Sequence, residues 1–92
     1  MIKSWKHKGL KKFFEQGILS GIRPEHAKKL KIILQRLSAA VRAEDMNTPA
    51  MRFHRLSGEL KEFYSVLVNK NWRIIFKFEG QDAILVDYLD YH

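Results

Sequence analysis

Several residue types are scarce in this sequence, and each scarcity excludes a class of protein. None of the 92 residues is cysteine, which excludes disulfides, thiolate zinc sites and a cysteine nucleophile. The apolar runs, such as residues 83–86, are far shorter than the roughly 18 residues of a membrane-spanning helix. The basic N-terminus lacks the apolar segment of a secretory signal. We therefore expect a cytoplasmic protein with no membrane partner.

Acidic residues are also scarce. The sequence has 10 Asp and Glu against 17 Lys and Arg, a formal net charge of +7, which predicts a polyanionic partner such as nucleic acid. The excess lies in the first half, because residues 1–46 hold eleven basic and four acidic residues whereas residues 47–92 hold six of each. This asymmetry indicates a basic half that binds and a balanced half that holds a site.

The apolar residues that are present suffice for one small core. Hydrophobic residues make up 46% of the chain, which at this length predicts a single domain over residues 1–92. A chain of this size buries only about two-thirds of the surface that it exposes when unfolded. Much of the surface is therefore available for function.

The first half of the sequence predicts two helices. In the first, over residues 7–16, Leu10, Phe13 and Phe14 share one face, and Gly17 is a natural end. The second begins at Pro24 and carries its apolar residues at helical spacing. These apolar residues are Ala27, Leu30, Leu34, Leu37 and Val41. The opposite side carries the candidates for binding a polyanion, Lys28, Lys29, Lys31, Arg36 and Arg42. We interpret His7 and His26 as ordinary surface residues.

The remainder predicts strands. After a link over residues 43–50, strands are expected at 51–56, 63–68, 72–78 and 83–89, and a short one at residues 2–5. Helices followed by an antiparallel meander predict an α+β fold. In it, two N-terminal helices pack on one face of a small, mainly antiparallel sheet of four to five strands.

Alternation within the strand at 72–78 divides its residues between the two faces of the sheet. Trp72, Ile74, Phe76 and Phe78 are predicted to meet the helices, while Arg73, Ile75 and Lys77 point the other way. No helix remains to cover this second face. We expect it to be a shallow, wet, cationic surface suited to a long, thin substrate, with Lys77 as a further RNA-binding residue.

The titratable residues assigned to that face suit metal-independent RNA cleavage. Histidine serves as general base or acid near neutral pH, and the planar guanidinium of arginine binds two phosphate oxygens. The candidates are His54, Arg73, Asp90, Tyr91 and His92. Simpler interpretations stay open, since a lone histidine is often an ordinary surface residue and Arg73 can pair with Asp87 or Asp90. Ligand spacing for zinc is lacking, and no cofactor is expected.

Four segments together resemble the HigB toxins of the RelE/ParE superfamily, which belong to bacterial toxin–antitoxin pairs. They are Met1-Ile2-Lys3-Ser4, His7-Lys8-Gly9-Leu10, Asn71-Trp72-Arg73-Ile74 and the terminal Asp87-Tyr88-Leu89-Asp90-Tyr91-His92. The resemblance covers the full length of the chain.

This resemblance implies a ribosome-dependent ribonuclease that cleaves mRNA in the ribosomal A site and stops translation. It implies a HigA-like antitoxin with a helix-turn-helix domain, and contact with operator DNA only through that antitoxin. By position, His54, Arg73, Asp90, Tyr91 and His92 match the active site of the family. The basic helices would then bind ribosomal RNA.

One residue departs from the family. Many relatives have a lysine, credited with a catalytic or phosphate-stabilising role, before the glycine of the Ser57-Gly58 turn. Here that lysine is dispensable, is replaced by a nearby cation such as Arg55 or Lys61, or its loss weakens the activity. Two alternatives therefore remain: a ParE-type toxin that inhibits DNA gyrase without nuclease activity, and a non-enzymatic module that binds RNA or the ribosome.

Overall fold

A computed structural model, which describes residues 1–90, shows a layer of helices over an antiparallel sheet. The sheet order is β1-β2-β3-β4, and each strand is antiparallel to its neighbours. This confirms the predicted α+β class. The helices are α1 (Lys8–Gln16) and α2 (Ala27–Ala39), and the strands are β1 (His54–Arg55), β2 (Tyr64–Asn69), β3 (Trp72–Glu79) and β4 (Asp82–Asp90).

The N-terminal segment extends the sheet beside β4. Ile2 and Trp5 form isolated parallel bridges with Ala83 and Val86 in place of the continuous short strand expected from the sequence. β4 has a bulge here, where Leu85 takes a left-handed φ of 54°. The bulge interrupts regular pairing, so the segment is only a partial fifth strand.

The core lies between α2 and the sheet. Ile74 and Phe76 of β3 are fully buried, which confirms that the even-numbered positions of this strand meet the helices. Burying each such side chain contributes about 1.5–3 kcal/mol before the loss of conformational entropy is counted. Their fully buried partners include Leu10, Leu30, Ile33, Leu34, Leu37 and Val66.

The second helix is shorter than predicted. It ends at Ala39, and Val41, which was placed on its apolar side, is 52% exposed. Asp45 causes this early end, since its carboxylate accepts the backbone N–H groups of Val41 at 2.9 Å and Arg42 at 3.3 Å. These hydrogen bonds, of which the one from Val41 has the largest effect, hold the pKa of Asp45 below its usual value. Arg42 therefore lies outside α2.

The first edge strand is also shorter than the predicted 51–56. Pro49 begins a 3₁₀ turn, Pro49–Met51, because its fixed φ suits the first position of such a turn. Arg52 follows in the left-handed region at a φ of 48°, which reverses the chain direction before pairing begins at His54. The predicted link at 43–50 likewise contains 3₁₀ turns.

Both histidines of the first half have structural roles, so their interpretation as ordinary surface residues is wrong. His7 caps α1, where its Nδ1 accepts the N–H of Leu10 at 2.9 Å. His26 is only 3% exposed, and its Nδ1 lies 2.6 Å from the hydroxyl oxygen of Tyr88. The distant Tyr88 was not recognisable as the partner of His26 from sequence spacing.

The hydroxyl of Tyr88 is the hydrogen-bond partner of His26. Its oxygen accepts the backbone N–H of Arg23 and lies 2.6 Å from His26 Nδ1, and burial raises the pKa of Tyr88. Burial also lowers the pKa of His26; Glu25 opposes this shift and Arg23 adds to it. Burial thus favours the neutral form of His26.

Two glycines permit α1 to pack against the segment that leads to α2. A Cβ placed on Gly9 would lie 2.8 Å from the Cα of Gly21, and one on Gly21 would lie 2.5 Å from the Cα of Gly9. Backbone atoms cannot rotate away as a side chain does. Both positions therefore require glycine.

We predict that Gly9→Ala destabilises the protein by about 2 kcal/mol. An alanine gains about 1 kcal/mol in helix propensity, but overpacking against a backbone costs about 3 kcal/mol. Urea denaturation followed by circular dichroism measures the difference. Gly17→Asn is the control, since no atom surrounds that left-handed helix end and asparagine is accepted there. Equal stability of the two variants would contradict the steric argument.

We predict that His26 makes the protein less stable in acid. Its pKa is lower folded than unfolded, so the unfolded chain binds the proton first; the stabilisation is complete above about pH 6.5 and is lost as the pH falls below it. The melting temperature should therefore fall less between pH 7 and pH 5 in His26→Gln than in the wild type. Parallel pH profiles would rule out this role for His26.

Candidate active site

The sheet places His54 and Arg73 around one buried serine on the face away from the helices. In a row across the sheet, Ser65 pairs with His54 of β1 and with Ile75 of β3, and Asp87 of β4 completes the row. Arg73 stands in the next row, opposite residues 67 and 89. Two of the predicted catalytic residues therefore share the neighbour Ser65.

Hydrogen bonds hold the guanidinium of Arg73 towards β1. Its Nη1 donates to Ser65 Oγ at 3.3 Å and to the backbone carbonyl of Arg52 at 3.5 Å. Within residues 1–90, no carboxylate forms an ion pair with Arg73, so the suggested pairing with Asp87 or Asp90 is not observed. Within the described residues, the acceptors of the Arg73 guanidinium are thus two neutral oxygens.

This face is less open than predicted from the sequence. Ile75, which was expected on a bare, wet surface, is only 3% exposed, and Ser65 is 1% exposed. The cause at Ser65 is visible, since the side chain of Arg73 reaches across the strand to its hydroxyl. The face therefore has a buried floor with the cation of Arg73 above it.

Asp90 lies on the other face. It pairs with Trp72, whose ring contacts His26 at 5.6 Å and Tyr88 at 4.8 Å on the helix side, and paired residues share a face. The register thus sets Asp90 opposite Trp72 at the end of β4, and its catalytic role together with His54 and Arg73 stays a prediction. Tyr91 and His92, the other two predicted catalytic residues, lie outside the described residues.

Lys77 stands on the same face as Arg73 but has a partner of its own. Its Nζ lies 3.2 Å from a carboxylate oxygen of Glu62 and 5.8 Å from the ring centre of Phe63. It thus borders the end of the sheet where β2 begins, and not the row that holds His54.

The predicted RNA-binding residues of the first half lie on the helix side. Lys28, Lys31 and Arg36 are exposed along α2, whereas Lys29 is half-buried. Arg42 lies beyond the helix and forms an ion pair with Asp45 at 3.5 Å. This basic helix face is separated from Arg73 by the thickness of the sheet.

Of the residues named as substitutes for the family lysine, Lys61 lies at the turn, since its backbone N–H donates to the carbonyl of Gly58 at 3.1 Å. Arg55 pairs with Tyr64 and donates to its hydroxyl at 3.1 Å, on the helix side of β2. Lys61 lines a cleft with Arg55 and Lys77. Ser57 itself is exposed, and the position before Gly58 holds no cation.

Comparisons with known proteins establish the family of the chain. The family model of a HigB-like toxin, described as a RelE-like toxin of the type II toxin–antitoxin system HigB, matches residues 3–92. The chain belongs to the HigB family of toxins. As a type II toxin it has an antitoxin as its partner.

Two curated relatives extend over almost the whole of both chains. "Endoribonuclease HigB" of Proteus vulgaris is 39% identical over 92 residues, which are 100% of each chain. "Toxin HigB-1" of Vibrio cholerae serotype O1 is 37% identical over 98 residues, covering 100% of this chain and 98% of the relative. Because each alignment covers nearly the whole of both chains, the family assignment applies to the entire chain.

A solved structure supports the fold alone. It is the crystal structure of a copper-bound point mutant of a toxin from Helicobacter pylori, with a TM-score of 0.56 and 19% identity, covering 98% of this chain and 94% of that one. Within residues 1–90 of the HigB-family chain, no group of three His, Asp or Glu residues is placed to bind a metal ion. No helix in that range is long and apolar enough to cross a membrane.

Two contributors to this toxin's site were missed from the sequence. Ser65 is an ordinary residue in an apolar strand, and Arg52 acts through its carbonyl, which every residue has. The only signal available in the sequence was a serine within an otherwise apolar strand. It was insufficient because the contact with Arg73 depends on the register of β2 against β3.

Proposed function

We propose that this toxin is an endoribonuclease that cleaves mRNA in the ribosomal A site and so inhibits translation. The observation that carries the proposal is the guanidinium of Arg73, held beside the strand of His54 by Ser65 and Arg52 and unpaired with any carboxylate of residues 1–90. A relative that is 39% identical over its full length is named an endoribonuclease.

The proposed reaction needs no group from outside the RNA and the protein. The 2′-hydroxyl loses its proton to a base and attacks the adjacent phosphorus, and the bond to the 5′-oxygen breaks as that oxygen receives a proton from an acid. Imidazoles of His54 and His92 suit these two proton transfers. The fork of Arg73 suits the phosphorane, because it binds two oxygens and keeps its charge.

The C-terminal residues supply the remaining functions in this proposal. Tyr91 stacks on a base or orients a proton, and His92 is one partner in proton transfer. Asp90, at the end of β4 opposite Trp72, is the remaining catalytic candidate in this proposal.

The ribosome has a necessary part in the proposed mechanism. The described face offers one imidazole and one guanidinium, which is little for a rapid nuclease, while correct orientation of an RNA contributes several kcal/mol. The proposed contacts with ribosomal RNA are the helix-side cations Lys28, Lys29, Lys31, Arg36 and Arg42, with Lys77 at the sheet end. Such binding weakens steeply as salt is added.

We further propose that the antitoxin is HigA-like and carries a helix-turn-helix domain. The toxin then contacts operator DNA only through that partner, in the cytoplasm. The type II family assignment supports an antitoxin, and the net charge of +7 supports a partner surface that is acidic.

We predict that Arg73→Ala lowers the rate of mRNA cleavage on purified ribosomes by about 100-fold or more, as expected for loss of a group that stabilises transition-state charge. Arg73→Lys should keep part of the activity, because it retains the charge but not the fork. Lys11→Gln, an exposed α1 cation, is the control. Unchanged cleavage in Arg73→Ala, or loss of DNA supercoiling before translation, would refute the proposal in favour of another toxin activity.

We predict that Ser65→Ala lowers kcat about fivefold with little change in KM. The two bonds to Nη1 are long, so losing one costs about 1 kcal/mol, and the freed guanidinium is then less well oriented. Melting temperature and circular dichroism establish that the variant folds. Ser38→Ala, on the helix side, serves as the control, and a kcat equal to that of the control would mean that Ser65 does not position Arg73.

A further inference from the structure

A basic cleft lies at the end of the sheet where β2 begins. Its volume is about 450 Å³, and it is distinct from the row of His54 and Ser65. It contains three cations, one acid and two aromatic rings. The residues lining it are Arg55, Lys61, Glu62, Tyr64, Lys77 and Phe78.

Two cations of the basic cleft, Arg55 and Lys77, are held in place by its other residues. Arg55 donates to the hydroxyl of Tyr64 at 3.1 Å, and its guanidinium carbon lies 5.5 Å from the ring centre. The ring of Tyr64 is itself supported, since it stacks at 5.4 Å on Phe53. Lys77 is held by Glu62 at 3.2 Å. The cleft is therefore a preformed cationic site with an aromatic wall.

This combination fits single-stranded RNA. Proteins bind unpaired strands with a positive groove for the phosphates and aromatic side chains for the bases. Lys77 lies four residues from Arg73 on the same face of β3, about 13 Å at a rise of about 3.3 Å per residue. Lys77 thus connects the face of Arg73 with the end of the sheet, where Arg55 and Tyr64 lie on the helix side. A strand bound at Arg73 reaches the basic cleft around this end of the sheet, beyond the nucleotides that flank the scissile bond.

We infer that the basic cleft binds a phosphate and base of the RNA strand beyond the nucleotides that flank the scissile bond, as a subsite of the proposed nuclease. This inference rests on the proposed function. Lys61 and Arg55 contact the phosphate, and Phe78 supports the base, because the ring of Tyr64 already stacks on Phe53 and Phe76. Glu62 opposes binding, since the phosphate competes with its carboxylate for Lys77.

Because the cleft contains both basic and acidic side chains, removing the one or the other charge is expected to change the RNA affinity in opposite directions. Binding is measured with a short 2′-O-methyl RNA oligonucleotide, which lacks the attacking hydroxyl and is not cleaved. Arg55→Gln is expected to weaken binding about tenfold, the effect of losing a bond to a charged group. Lys61→Gln should reduce the slope of log affinity against log salt by about 0.7. Glu62→Gln should tighten binding.

Matched controls come from α1. Lys11→Gln and Glu15→Gln make the same charge changes on exposed positions of the helix side. If the two acid variants tighten binding equally and the two lysine variants weaken it equally, the effect is one of net charge and the inference is wrong. A poly-glutamate peptide that occupies the cleft more tightly than the RNA would also overturn it, in favour of an acidic protein partner.

Failure of this inference differs from failure of the proposed function. Cleavage of mRNA on ribosomes by the wild-type protein is measured in parallel. If Arg55→Gln and Lys61→Gln cleave mRNA as fast as the control Lys11→Gln, the proposed subsite is refuted, but the proposed nuclease activity is not. No cleavage by the wild type would remove the nuclease, whatever the oligonucleotide shows.

Discussion

The structure depends on burial of one face of the sheet beneath α2. Ile74 and Phe76 are fully buried against the leucines of that helix, and a strand exposes successive side chains on opposite faces. Arg73 is therefore forced to the face without helices. A shift of one residue in the register would bury Arg73 and expose Phe76, so the hydrophobic core and the candidate site are specified together.

The division of charge follows from the same constraint. The helix layer carries the excess of basic residues, while the sheet edge and the opposite face carry a few cations, each held by named neighbours. Arg73 is held by Ser65 and Arg52, and Lys77 by Glu62. The proposed ribosome contacts and the proposed chemistry thus lie on separate layers, which lets one bind a large RNA while the other acts on a single phosphodiester.

Local backbone features support this arrangement at some cost. Arg52 has a left-handed φ of 48°, an unfavourable conformation for a residue with a side chain, and its carbonyl accepts from Arg73. Gly9 and Gly21 are in backbone contact, which sets the path of the chain from α1 to His26 and hence to Tyr88. Glu62, Lys70 and Leu85 also have a left-handed φ, but Arg52 is the one whose carbonyl accepts from Arg73 at the candidate site. The close glycine contact lies in the scaffold.

The sequence by itself determined the class of fold, α2 through its leucine spacing, the faces of β3 and the family. These follow from short-range periodicity and from motifs that are contiguous in the chain. Only the tertiary structure decided the roles of His26 and Ser65, the early end of α2 and the face on which Asp90 lies. Each depends on a partner elsewhere, such as Tyr88 for His26, or on strand register, which a linear pattern does not encode. The basic cleft likewise exists because folding brings residues 55, 61 and 77 together around the ring of Tyr64.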